Sequence, residues 1–591
     1  MTYRAPLADI DFALKYGTPL NAAIEQGLFG DLTMDDIDAV LSEAGRFAGE
    51  VIAPLNRVGD KFGTPFQDGA VTTAPGWKEA YRAWRGGGWN ALAAPPEWGG
   101  QALPQIVNAA CTEMWHAASM AFADGPMLTM AAIDALHAHG SAALKQTFLE
   151  KLVSGEWMGT MQLTEPQAGS DVGALSTRAE RVADGSYRLK GQKIFITYGE
   201  HDLTDNIIHF VLARLPDAPA GTRGISLFLV PKFLLNPDGS LGARNDVRAH
   251  SIEHKLGIHG SPTCTMIFGD EGGAKGFLIG EENAGMACMF TMMNRARLAV
   301  GLQGVGVAEA ATQQALAYAR ERKQGRVPGG KSAPSAAIIA HPDVRRMLLT
   351  MRALTQAARA ICYATAMSID RSERGTDAAA RKAADERASL LTPVAKAFST
   401  DVANEVTSLG VQVHGGMGFI EETGAAQFFR DARIAAIYEG TNGIQAIDLV
   451  ARKLPLSGGA AVAAHLDELR GIVEALNANN DAAFGWTPLR LADAVESLSR
   501  ATDWLIGRLD KEPDAALAGA SPYLRLFGLA TGGCFLARQA LTALRHGADA
   551  AAPLALTRFF AENCAVTAAA LERTVVEGSG SVTGADAALA S

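Results

Sequence analysis

A single carboxylate, Glu439, stands in the segment Ile434-Ala435-Ala436-Ile437-Tyr438-Glu439-Gly440-Thr441-Asn442-Gly443, after an apolar approach and between an aromatic ring and a glycine. Apolar neighbours that bury a glutamate strip its hydration and raise its pKa, which suits it to take a proton near neutral pH. Taken alone, the string also describes an ordinary exposed loop. A second segment, Thr164-Glu165-Pro166-Gln167-Ala168-Gly169-Ser170-Asp171, is a polar, glycine-containing loop after the extended run 158–163. The hydroxyls of Thr164 and Ser170, with exposed amides, suit a polar ligand and equally suit a plain turn. A third, Gly325-x4-Gly330-Lys331-Ser332, has phosphate-loop spacing. Such a loop needs a strand entering and a helix leaving, so that amides converge on phosphate. Here a helix-like segment (Glu309 to Lys323) enters, Pro328 interrupts, and Ala333-Pro334 leaves. It reads as a surface turn.

These segments must be positioned by several packed units, because 591 residues exceed one ordinary core. The content of 48% apolar and 20% charged residues is that of a folded chain. A net charge of −10 argues against nucleic-acid binding, which needs clustered Lys and Arg. No apolar run suggests a membrane span, and no secretory signal follows Met1, so a cytoplasmic location is expected. Cys111, Cys264, Cys288, Cys362, Cys534 and Cys564 are scattered without Cys-x-x-Cys spacing. Buried free thiols are expected, with no metal site.

The first ~155 residues read as helices. Thr33 and Asp36 form a capping-box pattern before Ile37, Val40, Leu41, Ala44, Phe47 and Val51, and further helices are expected over 104–120 and 127–153. From Trp157 to about Ile279 the texture becomes that of strands and turns. A hairpin is expected at Asp184-Gly185, with strands at Ile207 to Ala213, Ile225 to Val230 and Thr263 to Phe268. Helical periodicity returns over 285–325, 342–370 and 385–413, where Gly415-Gly416 supplies a stop. The expected class is α+β: an N-terminal helical domain (1–157), a central β-barrel-like domain (158–280), a C-terminal four-helix bundle (281–455) and an appended helical unit (456–591). The tail from Gly578 is expected to be mobile.

Read in order, the Thr164–Asp171 loop, Lys190-Gly191-Gln192-Lys193-Ile194-Phe195-Ile196-Thr197, Glu321-Arg322-Lys323, Gln412-x2-Gly415-Gly416-x-Gly418-Phe419, Arg430-Asp431-Ala432 and Tyr438-Glu439-Gly440-Thr441 resemble the acyl-CoA dehydrogenase family over roughly residues 35 to 455. Lys255 to Cys264 and the extra helical unit look like the longer subgroup that contains 3-methylmercaptopropionyl-CoA dehydrogenase. The resemblance implies FAD as cofactor, an acyl-CoA substrate, an electron-transfer flavoprotein as acceptor and a homodimer. It implies Glu439 as catalytic base, and Met161, Leu163, Thr164, Ser170, Phe195, Ile196 and Thr197 along the flavin. Phe195 stands where Trp is common in the family. Arg322, with Gln324 and His341 near it, would meet the FAD pyrophosphate. Gln412, Gly415 and Gly416 would approach the adenosine half, and Thr441, Asn442 and Gly443 would close over the cofactor. Ser170, Asn294, Arg297, Tyr438 and Gly440 are the implied substrate contacts, with Asn294 where the family often has Asp. Relatives that carry the base near position 296 differ, since Ala296 stands here between Arg295 and Arg297.

The implied reaction is α,β-dehydrogenation of an acyl-CoA thioester to a trans-2-enoyl-CoA. The acyl group is open: 3-methylmercaptopropionyl or a medium or long fatty chain. An oxidase returning electrons to O2, or a DNA-associated flavoprotein relative with little activity, are the alternatives. Met286, Met289, Met292 and Met293 suit a flexible acyl-pocket wall, and suit plain core packing better.

Overall fold

The computed structural model describes residues 3–326, 335–479 and 481–590. The phosphate-loop pattern ending at Gly330-Lys331-Ser332 lies outside the described residues. Two compact units form, neither continuous in sequence: Phe47–Pro104 with Ala118–Ala296, and Met1–Arg46 with Gln105–Ala117 and Arg297–Ser591.

The first of these is built on an eight-stranded sheet. Its spatial order is Val247–Ile252, Thr263–Phe268, Tyr187–Thr197, Ala274–Ile279, Ile225–Pro231, Ile207–Arg214, Met158–Gln162. Arg178–Arg181 pairs with both Tyr187–Thr197 and Ile207–Arg214, which closes a barrel. Ile225–Pro231 is buried at every position and Ile207–Arg214 at all but its last. A strand covered on both faces calls for a nearly continuous apolar run, interrupted here only by the buried His209 and Ser226. Val211, Leu189, Phe228 and Phe268 belong to the core inside. The expected hairpin forms, with Gly185 at φ +81° supplying the turn between Arg178–Arg181 and Tyr187–Thr197.

The helix expected over 127–153 is two helices, Met120–His139 and Ala142–Val153. Ser141 breaks them apart by capping the second, its hydroxyl accepting from the Leu144 amide at 3.3 Å. The helix Met120–His139 is tied to the sheet through Tyr198, whose hydroxyl donates to the Ala121 carbonyl at 2.8 Å and accepts from the Trp77 indole at 3.1 Å.

The second unit is helical. Met34–Phe47 starts on the expected reciprocal cap, the Thr33 amide donating to Asp36 Oδ2 at 2.9 Å and the Asp36 amide to Thr33 Oγ1 at 3.2 Å. Its long helices are Gly285–Glu321 from Arg297 onward, Pro342–Arg374 and Ala378–His414. A Cβ on Gly301 would lie 2.6 Å from the Ala395 carbonyl oxygen, and one on Gly304 would lie 2.6 Å from that of Ser399. These glycines let two helix backbones touch where larger residues would part them. Ala378–His414 stops at Gly415, φ +60°, as expected.

The segment from Ala460 packs into this same unit. A Cβ on Gly528 would lie 2.2 Å from the Phe398 ring, and ion pairs join Arg387 to Glu468 at 2.9 Å and Arg525 to Glu405 at 2.8 Å. The stretch Ala551–Glu577 alone passes a length-and-hydropathy test for crossing a bilayer among the described residues, at mean hydropathy 1.2. It is broken at Ala565–Thr567, and Phe560, Ala561, Ala568 and Val575 are buried, as in a core helix pair. The tail from Gly578 carries two short helices, Ser579–Thr583 and Asp586–Leu589, neither with a buried residue. Cys564 is half-buried and the other five cysteines are buried, all unpaired.

A buried charge cluster ties three sequence-distant segments of the helical unit together. Arg359 meets Glu113 at 2.6 Å and Glu309 at 3.2 Å, and the Tyr363 hydroxyl donates to Glu113 at 2.8 Å. Arg359 and Glu113 are fully buried. Arg359→Met would leave two carboxylates without their cation, so a loss of about 3–5 kcal/mol is expected in urea unfolding. The double change Arg359→Met with Glu113→Gln should recover part of it.

Candidate active site

The Glu439 loop is a tight reversal between two helices. Ala425–Ala435 ends as the Ile437 and Tyr438 amides both donate to the Ile434 carbonyl, at 2.8 and 3.1 Å. Asn442–Asp448 begins with Thr441 as its cap, the hydroxyl accepting from the Ile444 amide at 3.2 Å. Between them Glu439 takes φ +55° and Gly440 φ +84°. A left-handed glutamate is strained, and such strain persists only where surrounding contacts enforce it.

Those contacts are specific. The Gln445 side-chain amide donates to the Glu439 carbonyl at 3.3 Å, and Lys396 Nζ donates to the Gly440 carbonyl at 2.9 Å. The Tyr438 hydroxyl donates to Gln303 Oε1 on the Gly285–Glu321 helix. Both loop carbonyls therefore point into protein. The Glu439 amide donates to no acceptor among the described residues, which leaves an N–H available beside its own carboxylate.

Burial dominates the electrostatics of that carboxyl. Desolvation pushes the Glu439 pKa up to about 7, while the Arg297 and Lys396 cations oppose the rise. Arg297 is 8% exposed, and its Nε has no hydrogen-bond partner among the described residues. Its own pKa is lowered by burial and supported by Asp448 and Glu439. Ala296 is fully buried and carries no carboxylate, so no competing base stands there.

The expected cofactor and substrate residues divide by unit. Among those of the barrel unit, Met161 ends up nearly buried and Ile196 fully so, leaving mainly backbone to a ligand at Ile196. Leu163, Thr164 and Thr197 are half-buried, and Ser170 and Asn294 are exposed. Phe195 departs most from core behaviour, with φ +59° and a ring 59% exposed. The Thr164–Asp171 loop is held by Glu165, not by its glycine. The Glu165 carboxylate accepts from Lys193 Nζ at 2.7 Å, from the Ser176 amide at 2.7 Å and from the Thr177 hydroxyl at 2.6 Å. Burial opposes its charge, but these partners prevail and lower its pKa to about 2.

In the helical unit, an isolated antiparallel bridge between Lys323 and Ala337 gathers Arg322, Gln324 and His341. The Ile338 amide donates to the Arg322 carbonyl at 2.8 Å, the Gln324 amide to Ala336 at 2.9 Å, and His341 Nε2 lies 2.7 Å from the Gln324 carbonyl. Tyr318, one turn before Arg322, stacks on His414 at 4.4 Å, which brings the Gln412–Gly416 segment beside this bridge. Arg322, Gln324, Gln412, Gly415 and Gly416 are exposed. Asn442 is turned the other way. Its side chain is occupied by the Ala378–His414 helix, accepting from Lys396 at 2.8 Å and donating to Asp401 at 2.7 Å, while Thr441 and Gly443 stay half-exposed or more.

Lys396 was missed by the reading of the sequence, because a lysine inside a helix suggests a solvent face. The available signal is its isolation: it is the lone charge between Arg387 and Asp401 in an otherwise apolar or small run. No cluster suited to a metal occurs among the described residues.

Comparison with known proteins agrees with this architecture. The family models for the acyl-CoA dehydrogenase N-terminal, middle and C-terminal domains match residues 34–156, 160–270 and 283–454, and an acetyl-CoA dehydrogenase C-terminal-like model matches 460–586. The chain belongs to the acyl-CoA dehydrogenase family and is an oxidoreductase. It is 46% identical to 3-methylmercaptopropionyl-CoA dehydrogenase of Ruegeria pomeroyi over 96% of this chain and 97% of that one. Its fold is similar to Caenorhabditis elegans ACDH-11 in complex with C11-CoA (TM-score 0.77, 20% identity, 97% and 95% of the two chains). It is also similar to an acyl-CoA dehydrogenase complexed with FAD from Bacillus anthracis (TM-score 0.75, 21% identity, 93% and 89%).

A raised carboxyl pKa has a stability consequence with a definite sign. Glu439 binds its proton more tightly folded than unfolded, so its contribution is full below about pH 4.5 and is lost as pH rises through about 7. Glu439→Gln, neutral throughout, should therefore melt higher than the parent at pH 8 and level with it at pH 4.5, read by thermal unfolding at both pH values.

Proposed function

We propose that this chain catalyses FAD-dependent α,β-dehydrogenation of an acyl-CoA, with Glu439 taking the α-proton. The carrying observation is a half-buried glutamate whose carboxyl pKa desolvation pushes to about 7, in a left-handed turn whose own amide meets no acceptor among the described residues. A thioester α-proton is weakly acidic, so a carboxylate removes it only if charge developing on the thioester oxygen is met by a donor. The Glu439 N–H is such a donor, and Gln445 and Lys396 hold the loop so that this N–H stays uncommitted.

The chain's residues fit FAD. Phe195 offers an aromatic face that core packing leaves open, and Thr164 and Thr197 offer hydroxyls. Arg322 offers an exposed cation for a diphosphate, beside the open glycines Gly415 and Gly416, whose Cβ positions meet nothing within 4 Å. When bound, FAD would supply the acceptor for the β-hydrogen, so that its loss together with the α-proton leaves a trans-2-enoyl thioester. Reoxidation by an electron-transfer flavoprotein follows the habit of the family, and we assign the same partner here.

For the acyl group, identity of 46% with the Ruegeria enzyme along nearly the whole of both chains supports 3-methylmercaptopropionyl-CoA or a short chain of similar length. The methionines give no independent support. Met289 and Met292 are fully buried as core residues, and Met286 and Met293 are half-buried.

Purified holoenzyme should be yellow and should bleach anaerobically with one class of acyl-CoA in a panel that includes 3-methylmercaptopropionyl-, butyryl- and palmitoyl-CoA. Glu439→Gln should keep flavin and lose roughly a thousandfold or more in turnover. Parental turnover in that variant would remove Glu439 from its role. Parental kcat/KM should fall as pH drops below about 7, where the base becomes protonated. Arg322→Ala should release flavin on gel filtration while the fold persists.

A further inference from the structure

Lys396 lies in the middle of the Ala378–His414 helix, fully buried. Two of its protons are placed, on the Gly440 carbonyl at 2.9 Å and on Asn442 Oδ1 at 2.8 Å. Both acceptors are neutral, and Lys396 forms no ion pair among the described residues. Taking an ammonium out of water without a contacting carboxylate is costly. A neutral amine, or an amide side chain, would serve the same two acceptors, so hydrogen bonding alone does not explain a lysine here.

The surroundings do. Gly440 follows Glu439 directly, and the Glu439 carboxylate is the first-ranked favourable charge acting on Lys396, ahead of Asp401. Arg297 opposes it from the Gly285–Glu321 helix. That helix is held against the lysine's own helix by the Gly301 and Gly304 contacts, which fixes both cations near the loop. Of the other charges at hand, Asp401 is engaged by the Asn442 amide at 2.7 Å, and Asp448 by Arg452 at 2.7 Å. Asn442 joins the parts mechanically. It accepts from Lys396 and Thr400 and donates to Asp401 and the Ala397 carbonyl.

We propose that Lys396 is the positioning residue for Glu439: its two hydrogen bonds hold the left-handed Glu439–Gly440 turn open, and its charge favours the carboxylate form of the base. This rests on the assignment of Glu439 above and deepens it. Burial also pushes the Lys396 pKa down to about 7, so the lysine can lose its charge near neutrality while keeping both donors. Geometry and charge are therefore separable by experiment.

The test reads the Glu439 carboxyl directly, by infrared difference spectra against Glu439→Gln across pH 5–9, alongside the pH profile of flavin reduction by acyl-CoA. Lys396→Gln, a neutral donor, should move both midpoints up by about one unit or more and cut the rate at pH 7 roughly tenfold, with recovery at higher pH. Lys396→Arg should return both midpoints to within a few tenths of a unit of the parent. If Lys396→Gln fails to fold, Lys396→Met, which also removes the charge, supplies the same infrared reading. An unmoved infrared midpoint in any folded neutral variant overturns the proposal. Because that reading needs no turnover, it stands apart from the Glu439→Gln activity result, which judges the base assignment by itself.

Discussion

One balance underlies the site: a carboxylate removed from water, with enough positive charge nearby to keep ionisation accessible and not enough to make it permanent. Complete ion pairing would drive the Glu439 pKa down, as happens at Glu165, where Lys193 in direct contact and several hydroxyl and amide donors bring it to about 2. A weakly basic carboxylate of that kind would not draw a proton from carbon. At Glu439 the cations of Arg297 and Lys396 act without forming an ion pair, and desolvation prevails. The same residue type thus serves as a rivet in one unit and is the proposed base in the other. The difference is whether a cation touches it.

Holding that balance demands a stiff backbone. The left-handed turn at Glu439 and Gly440 is stabilised from three sides, by Gln445 on the following helix, Lys396 on the Ala378–His414 helix and Gln303 through Tyr438. Each partner is delivered by a helix that is itself locked. Gly301 and Gly304 bring two backbones into contact, and the Arg359 cluster cross-links Glu113 and Glu309 behind them. Strain at Glu439 is tolerated because so little around it can relax.

Much of this was legible before any coordinates. Periodicity located the strand Thr263–Phe268 to the residue and the helix stop at Gly415, since each rests on a local rule. The apolar approach to Glu439 left an ordinary exposed loop open, and only the ordered set of motifs resembling the family singled that residue out. What escaped the reading depends on long-range packing. Ser141 splits an apparently continuous helix because a cap outcompetes apolar spacing. Lys396 looks like a surface residue until the partner helices are placed around it. The side chain of Asn442 belongs to the helix behind the loop, which no motif reveals. The merging of the appended helices with the bundle likewise depends on contacts such as Gly528 against Phe398.

The discontinuity of the helical unit has a consequence for how the chain is made. Met1–Arg46 precedes the barrel unit along the chain, yet its companions in the helical unit are Gln105–Ala117 and everything from Arg297 onward. The barrel unit needs nothing beyond Ala296 and can close early in synthesis. This segment must wait, with Gln105–Ala117 as its one early companion, until the chain from Arg297 onward is made. At about 5–20 residues per second that wait lasts tens of seconds, a window in which nascent-chain binding factors have apolar surface to shield.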